Sequence, residues 1–349
     1  MNRNAFFALL VAIGVAIVVT AGLLPTGSSS VERATASAGD LIGQGKCAFA
    51  PAPPAAQAAA LPDVRFGRRR DVPWIGPPAR IAEWVSPTSA LLLVLSGPQA
   101  GREAMALLQP ETGEMRTLGE RTTAMSLPRW SVEAQAVVER ADARFSALAT
   151  PREAAEGDAA YVNAEVQSVA DPTGARVAAW SSHRAQLLDV ASGDECDLAI
   201  NRVEEGADRP IIDAAWSSDG RYLAVLMLAD AERLGPTVLR VLDLQAGVYR
   251  DAAVDALVVS AMNWIPGRSE LLATAVDLGA PDAADAMYVV DARTGQGARV
   301  ADAPALFAPA YWGLRFSPDG SSLAAACVQP DADGVVRRGA ICTWEVDVR

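Results

Sequence analysis

Residues 216–226 read WSSDGRYLAVL: an aromatic, two serines, an Asp-Gly pair and then an apolar run. Asp219-Gly220 suits a tight hairpin, because glycine adopts positive φ at little steric cost. The apolar run that follows has the length and Val/Leu/Tyr content of a strand covered on both faces. The phrase returns as DPTGARVAAW at 171–180, WIPGRSELLATAV at 264–276 and FSPDGSSLAAA at 316–326. One phrase used so often asks for a repeat architecture.

Working outward, a landmark just after the aromatic falls at Pro87, Val132, Pro172, Ser218, Pro266 and Pro318, with spacings of 45, 40, 46, 48 and 52 residues. A period in this range, filled with short strands and turns, predicts a β-propeller. In the fourth unit IIDAAW leads through SSDG into RYLAVLML, then TVLRVLDL, QAG and VYRDA. Each well-formed unit holds four Val-, Leu-, Ile- or Tyr-rich runs joined by glycine-containing turns. Six units predict six blades, with seven as the alternative if residues 50–80 hide another. The second unit, LPRWSVEAQAVVERA followed by ADARFSALATPREAAEG, lacks the turn and a clean third strand.

Trp84, Trp130, Trp216, Trp264 and Phe316 recur at the end of the first strand. A lone aromatic could bind a ligand; recurrence at one place points to packing between sheets, since a single sheet cannot bury both faces. Asp189, Asp243 and Asp291 recur at the end of the third strand and are read as turn residues, not catalytic acids. The last unit finishes as TWEVDVR, a third strand, so its fourth is expected from PDVRF (62–66) or DVPWI (71–75), which removes an exposed edge. Arg68-Arg69-Arg70 between them reads as a solvated turn, against a nucleic-acid patch as the functional reading.

WSSDGRYLAVL, DPTGARVAAW and FSPDGSSLAAA, with LLDVASG, VLDLQAG and VVDARTG downstream, resemble the WD40-like repeats of TolB-type propellers over residues 80–349. The glycine-histidine and tryptophan-aspartate pairs of ordinary WD40 repeats are absent. The resemblance implies a periplasmic protein-interaction module. It does not carry over the TolB role itself.

The chain has 349 residues, half of them apolar, and a formal net charge of -12. That size and composition support one large domain or two ordinary ones. The negative balance opposes nonspecific nucleic-acid binding, which needs lysine and arginine against phosphate. Lys46 and His183 are the only residues of their types. A phosphate-binding lysine, a histidine-rich metal centre and a histidine-based catalytic pair are correspondingly disfavoured, and His183 is read as a loop residue before a general base. No G-x-S-x-G elbow or Gly-rich phosphate loop is present. PDADG at 330–334 does not complete a calcium loop and reads as an acidic turn. No cofactor or metal is implied.

Residues 1–38 carry Arg3, about 20 apolar residues and Ala36-Ser37-Ala38 before Gly39. They read as a signal peptide or, since that run also suffices to cross a bilayer, as a retained transmembrane anchor. Either places the rest outside the cytoplasmic membrane, periplasmic or extracellular. Residues 39–60 are Ala/Pro-rich and read as a linker, with 61–349 as the propeller.

Four cysteines in an exported chain allow three pairings. Cys327 ends the second strand of the last unit and Cys342 sits in its third, so a cross-strand disulfide is expected there. Cys47 and Cys196 would then pair by elimination, tying the linker to the third unit.

The leading functional expectation is a noncatalytic protein-interaction or scaffold module. Its partner would meet the length-variable loops, through Asp230, Glu232, Arg233, Asp282, Asp285, Asp331, Asp333, Arg337 and Arg338; the bland alternative is that these are solvated loops. The acidic excess favours a basic or mixed protein partner. The alternatives are a propeller hydrolase or lyase acting on glycan or ester substrates, which needs paired carboxylates across a cleft, and a small-ligand sensor with a closed pocket.

Overall fold

The structure is a computed structural model. It describes residues 46–53 except 48, 60–74, 79–85, 90–96, 102–122, 129–131, 136–138, 167–180, 185–200 except 191 and 199, 209–229, 236–254, 258–276, 286–304, 313–330 and 336–349. Three strands precede the repeats: β1 (Lys46–Cys47), β2 (Ala50–Pro51) and β3 (Val64–Trp74). The first unit forms β4 (Ala79–Val85), β5 (Ala90–Ser96), β6 (Arg102–Leu108) and β7 (Met115–Thr122). The second gives β8 (Arg129–Ser131) and β9 (Ala136–Val138). The third gives β10 (Gln167–Ala170), β11 (Arg176–Trp180), β12 (Ala185–Asp189) and β13 (Glu195–Leu198). The fourth gives β14 (Ile211–Trp216), β15 (Tyr222–Leu228), β16 (Thr237–Asp243) and β17 (Val248–Asp251). The fifth gives β18 (Val258–Trp264), β19 (Glu270–Val276), β20 (Ala286–Asp291) and β21 (Gly297–Arg299), and the last β22 (Leu314–Phe316), β23 (Ser322–Pro330) and β24 (Val336–Val348).

Each complete unit is an antiparallel meander in strand order, and the innermost strands follow one another round a ring: β10, β14, β18, β22, β4. The protein is an all-β propeller. Its blade count is five among the described residues, correcting the expected six or seven. Among the described residues the second unit supplies the two-stranded sheet β8–β9, set against β4. The sequence of this unit lacks the glycine-containing turns that mark the other units.

Second strands are apolar throughout because both their faces are covered. Tyr222 to Met227 are all buried, as are Leu91 to Leu95. The core is therefore a series of slabs between blades. One slab joins Leu223, Val225 and Met227 to Trp180 and Leu187; the next joins Tyr222 and Leu226 to Trp264 and Leu271. A third joins Leu272 and Met287 to Phe316 and Trp344, and a fourth joins Ala324 and Ile341 to Ile81, Leu91 and Leu93.

The repeated phrase folds the same way twice. Asp219 Oδ1 accepts from Ser217 Oγ at 2.6 Å and from the Arg221 amide at 3.0 Å; Asp319 Oδ1 accepts from Ser317 Oγ at 2.6 Å and from the Ser321 amide at 3.1 Å. Gly220 and Gly320 close these turns at φ of 69° and 73°, where a side chain would be strained.

β3 supplies the fourth strand of the last blade, antiparallel to β24 from Val64 opposite Val348 to Trp74 opposite Gly339. One continuous strand thus covers both upstream segments. The arginine run is not a turn: Arg69 and Arg70 lie in register with Trp344 and Thr343. Arg69 lies 5.6 Å from the Trp344 ring centre, and Arg70 pairs with Glu111 of the first unit at 3.2 Å. Pairing with a free edge overrode the turn-like composition.

Part of the stretch read as a linker is also built into the sheets. β1 adds parallel to β13 and β2 parallel to β17, on the outer edges of the third and fourth blades. Cys47 and Cys196 are disulfide-bonded there, with Cα atoms 5.4 Å apart. No helix among the described residues is long and apolar enough to cross a membrane; residues 1–45 lie outside them.

Candidate functional site

The recurring aromatics hold the blades together. Trp216 donates its indole N–H to the Val169 carbonyl at 2.9 Å, Trp264 to Ala215 at 2.8 Å and Trp84 to Arg315 at 2.8 Å. Each bond crosses from one innermost strand to that of the preceding blade, and the last joins the first unit to the final one. Phe316 has no such donor; at that seam its backbone N–H donates to Asn263 Oδ1 at 3.0 Å. Trp130 belongs to β8, and its side chain is not among those described.

The third-strand aspartates organise turns. Asp243 Oδ1 accepts from the Gln245 and Ala246 amides, Asp291 Oδ1 from the Arg293 amide and Asp189 Oδ1 from the Ser192 amide. Asp243 also receives Arg221 through two nitrogens, at 3.2 and 2.7 Å. Burial alone would raise the Asp243 carboxyl, but the Arg221 hydrogen bond and the turn amides outweigh it and hold it below the usual carboxylate range. In the third unit Asp171 accepts from Thr173, Ala175 and Arg176, and the same arginine reaches the Gly220 carbonyl of the next blade at 2.6 Å.

What the turns and seams do not absorb lies along the ring of innermost strands. The residue before each of these seam aromatics is half-buried (Glu83, Ala215, Asn263 and Arg315), as is Val169 before Ala170 at the equivalent place. Register shifts in β4, β14 and β18 fall near one another in the repeat, between Ile81 and Glu83, Ile211 and Asp213, and Val259 and Ala261. Such bulges re-aim side chains at the rim of a sheet. Arg315 donates through Nε to Ala82 O at 3.0 Å and through Nη1 to Leu314 O at 2.9 Å. Asp213, two blades away on β14, is half-buried and within electrostatic reach of that guanidinium. Its Oδ1 accepts from the Ala214 amide at 2.9 Å. Burial pushes the Asp213 carboxyl up, and the pull of Arg315 and the amide only partly offsets it. A carboxyl and a guanidinium on the innermost strands are polar groups that a small ligand in a channel would meet. Sequence reasoning missed Asp213 because IIDAAW differs from its sister strands by one acid among many.

The expected partner loops are not where a site can be described. Asp230, Glu232, Arg233, Asp282, Asp285, Asp331 and Asp333 lie outside the described residues, as does His183. Arg337 and Arg338 sit in β24, not in a loop, with Arg338 opposite Gln329; their side chains are not among those described. Cys327 lies opposite Ala340 and Cys342 opposite Ala325, so the two cysteines share a face as diagonal neighbours. Among the described residues no group of three or more His, Cys, Asp or Glu is placed to hold a metal. Trp180, buried at the seam of the third and fourth units, has an indole N–H without a hydrogen-bond partner.

No protein-family model matches the chain, and no curated protein does. Among solved structures, it is similar to TolB from Acinetobacter baumannii at 12% identity and a TM-score of 0.38, over 78% of this chain and 56% of that one. A protein described as TolB from Agrobacterium tumefaciens aligns at 15% identity and TM-score 0.35, over 69% and 66%. One described as a 6-phosphogluconolactonase from Bacteroides uniformis aligns at 16% and 0.39, over 81% and 85%. The chain spans less than two thirds of the length of the two TolB structures. The propeller itself is established by the sheet order and the ring of innermost strands.

Proposed function

We propose that the chain is an extracytoplasmic, noncatalytic propeller that binds a protein through the face opposite its short turns. The observation that carries this reading is the contrast between connections. On one face they are uniform: 217–221, 244–247, 265–269, 292–296 and 317–321. On the other they range from 181–184 and 97–101 to 229–236 and 277–285. A scaffold that repeats while one set of loops varies is how binding surfaces arise. The longer loops carry Asp230, Glu232, Asp282 and Asp285 against Arg233, and 331–335 adds Asp331 and Asp333. A basic or mixed protein partner suits that balance, and polyanions do not. Export is supported by the N-terminal sequence and by the Cys47–Cys196 bond, which persists in oxidising compartments.

The test is a pull-down from membrane extract with the wild type and with the 229–236, 277–285 and 331–335 loops shortened. Loss of the same partner from the shortened protein, with wild-type capture falling as salt rises, is expected. Equal recovery by both proteins removes this face from consideration.

A second reading, a small polar ligand held in the channel, is favoured by Asp213 and Arg315, two charged groups of the innermost strands within electrostatic reach of each other. It predicts thermal stabilisation by such a ligand in the wild type that Asp213→Asn and Arg315→Met each abolish.

A further inference from the structure

Residues 46–51 straddle two blades. Lys46 and Cys47 lie beside Asp197 and Leu198, while Ala50 and Pro51 lie beside Val248 and Tyr249. The ladders are two residues each. The Ala50 amide donates to Gly247 O at 3.1 Å and the Ala52 amide to Tyr249 O at 2.9 Å. Phe49 packs on the slab between these blades, and Cys47 is fully buried against Cys196. Ladders this short open locally at small cost, so the covalent bond is what keeps this strap seated.

The ring does not depend on the strap for closure. The last blade is completed by the long β3–β24 ladder, and the Trp84 bond to Arg315 joins it to the first, neither of them through the strap. The strap can therefore leave while the blades stay. Its departure bares the outer edges of β13 and β17, which already accept a parallel strand, and bare edges are places where an extended segment adds.

We propose that Cys47–Cys196 is a redox latch on this strap. A dithiol reductant of the thioredoxin class attacks during local opening. The S–S bond breaks, the reductant's two hydrogens pass to Cys47 and Cys196 as thiols, and the reductant closes its own disulfide. Residues 46–51 then leave the edges of the third and fourth blades. Re-oxidation seats them again.

Lys46 is the only lysine in the chain, so a lysine-specific endoproteinase reports on the strap alone. The exported protein is digested with and without dithiothreitol, with tryptophan fluorescence followed in parallel. Cleavage after Lys46 is expected to rise at least tenfold on reduction while the fluorescence stays native. The Cys47→Ser/Cys196→Ser variant is expected to cut at the reduced rate under both conditions, which separates this pair from Cys327 and Cys342. Hydrogen exchange at the Ala50 and Ala52 amides of the wild type gives the same answer without a variant: protection is lost on reduction. An unchanged cleavage rate with retained protection overturns the proposal, because the ladders alone then hold the strap. Native fluorescence lost in the unreduced Cys47→Ser/Cys196→Ser variant also overturns it, because the bond is then a staple of the whole ring.

Discussion

The indole of Trp264 donates to the carbonyl of Ala215 across 2.8 Å, from the fifth blade to the fourth. Trp264 also stacks on Tyr222 of the fourth blade, with ring centres 5.9 Å apart and planes at 20°. Trp264→Phe keeps the ring and loses the bond, so about 1 kcal/mol of stability should go. Trp264→Ala should cost about 3–5 kcal/mol. Urea unfolding of both variants measures the difference; an unchanged Trp264→Phe would mean the hydrogen bond contributes nothing, and equal losses that the ring packing does not.

Asp243 should make the fold sensitive to acid. Its folded carboxyl sits below the usual range because Arg221 and the turn amides outweigh burial. A depressed carboxyl contributes stability that is present above its unfolded pKa, about 3.9, and is lost as pH falls through the lower folded value. Asp243→Asn is expected to cost about 1–3 kcal/mol at neutral pH and to lose less on acidification below pH 4 than the wild type does. Parallel urea titrations at several pH values check the slope.

Asp213 should behave with the opposite sign. Burial raises its carboxyl despite Arg315, so its favourable term is full below the unfolded pKa and fades as pH climbs through the folded one. Asp213→Asn keeps the acceptor for the Ala214 amide and removes the charge. The variant should be at least as stable as wild type at neutral pH, with any gain vanishing below about pH 4. Marked destabilisation at pH 7 would show that the carboxylate is held by stronger partners than Arg315.

Gly313 enters β22 at φ 93°, and a Cβ there would stand 2.7 Å from the Ile81 carbonyl of the first blade. Gly313→Ala should cost about 2 kcal/mol or more, from strain together with the clash. Gly267, at φ 73° with nothing within 4 Å of a Cβ, is the control and should cost about 1 kcal/mol. Thermal unfolding of the pair isolates the contact between the last unit and the first.

The Cys327–Cys342 bond is a proposal that the diagonal placement on β23 and β24 supports. Peptide mapping without reduction should recover the two as one cross-linked species. Breaking it alone, by Cys327→Ser, should cost about 3 kcal/mol in the loop-entropy description. Recovery of separate free thiols would end the proposal.

By itself the sequence determined the class of fold and the roles of its most repeated residues. Turn chemistry and apolar runs act over a few positions, so WSSDG and FSPDG could be read without knowing what lies beside them. The weakness of the second unit was legible for the same reason, although its consequence, five complete blades among the described residues instead of six, was not. Tertiary structure decided the rest. Arg69 and Arg70 became strand because β24 offered an unpaired edge, a condition set by residues more than 270 positions away. Residues 46–51, with no period of their own, were ordered by the edges of β13 and β17 and by Cys196. Asp213 was one acid among many until the fold partly buried it and brought it within electrostatic reach of Arg315. Pairing of free edges and loss of solvent are long-range events, and no local pattern encodes them.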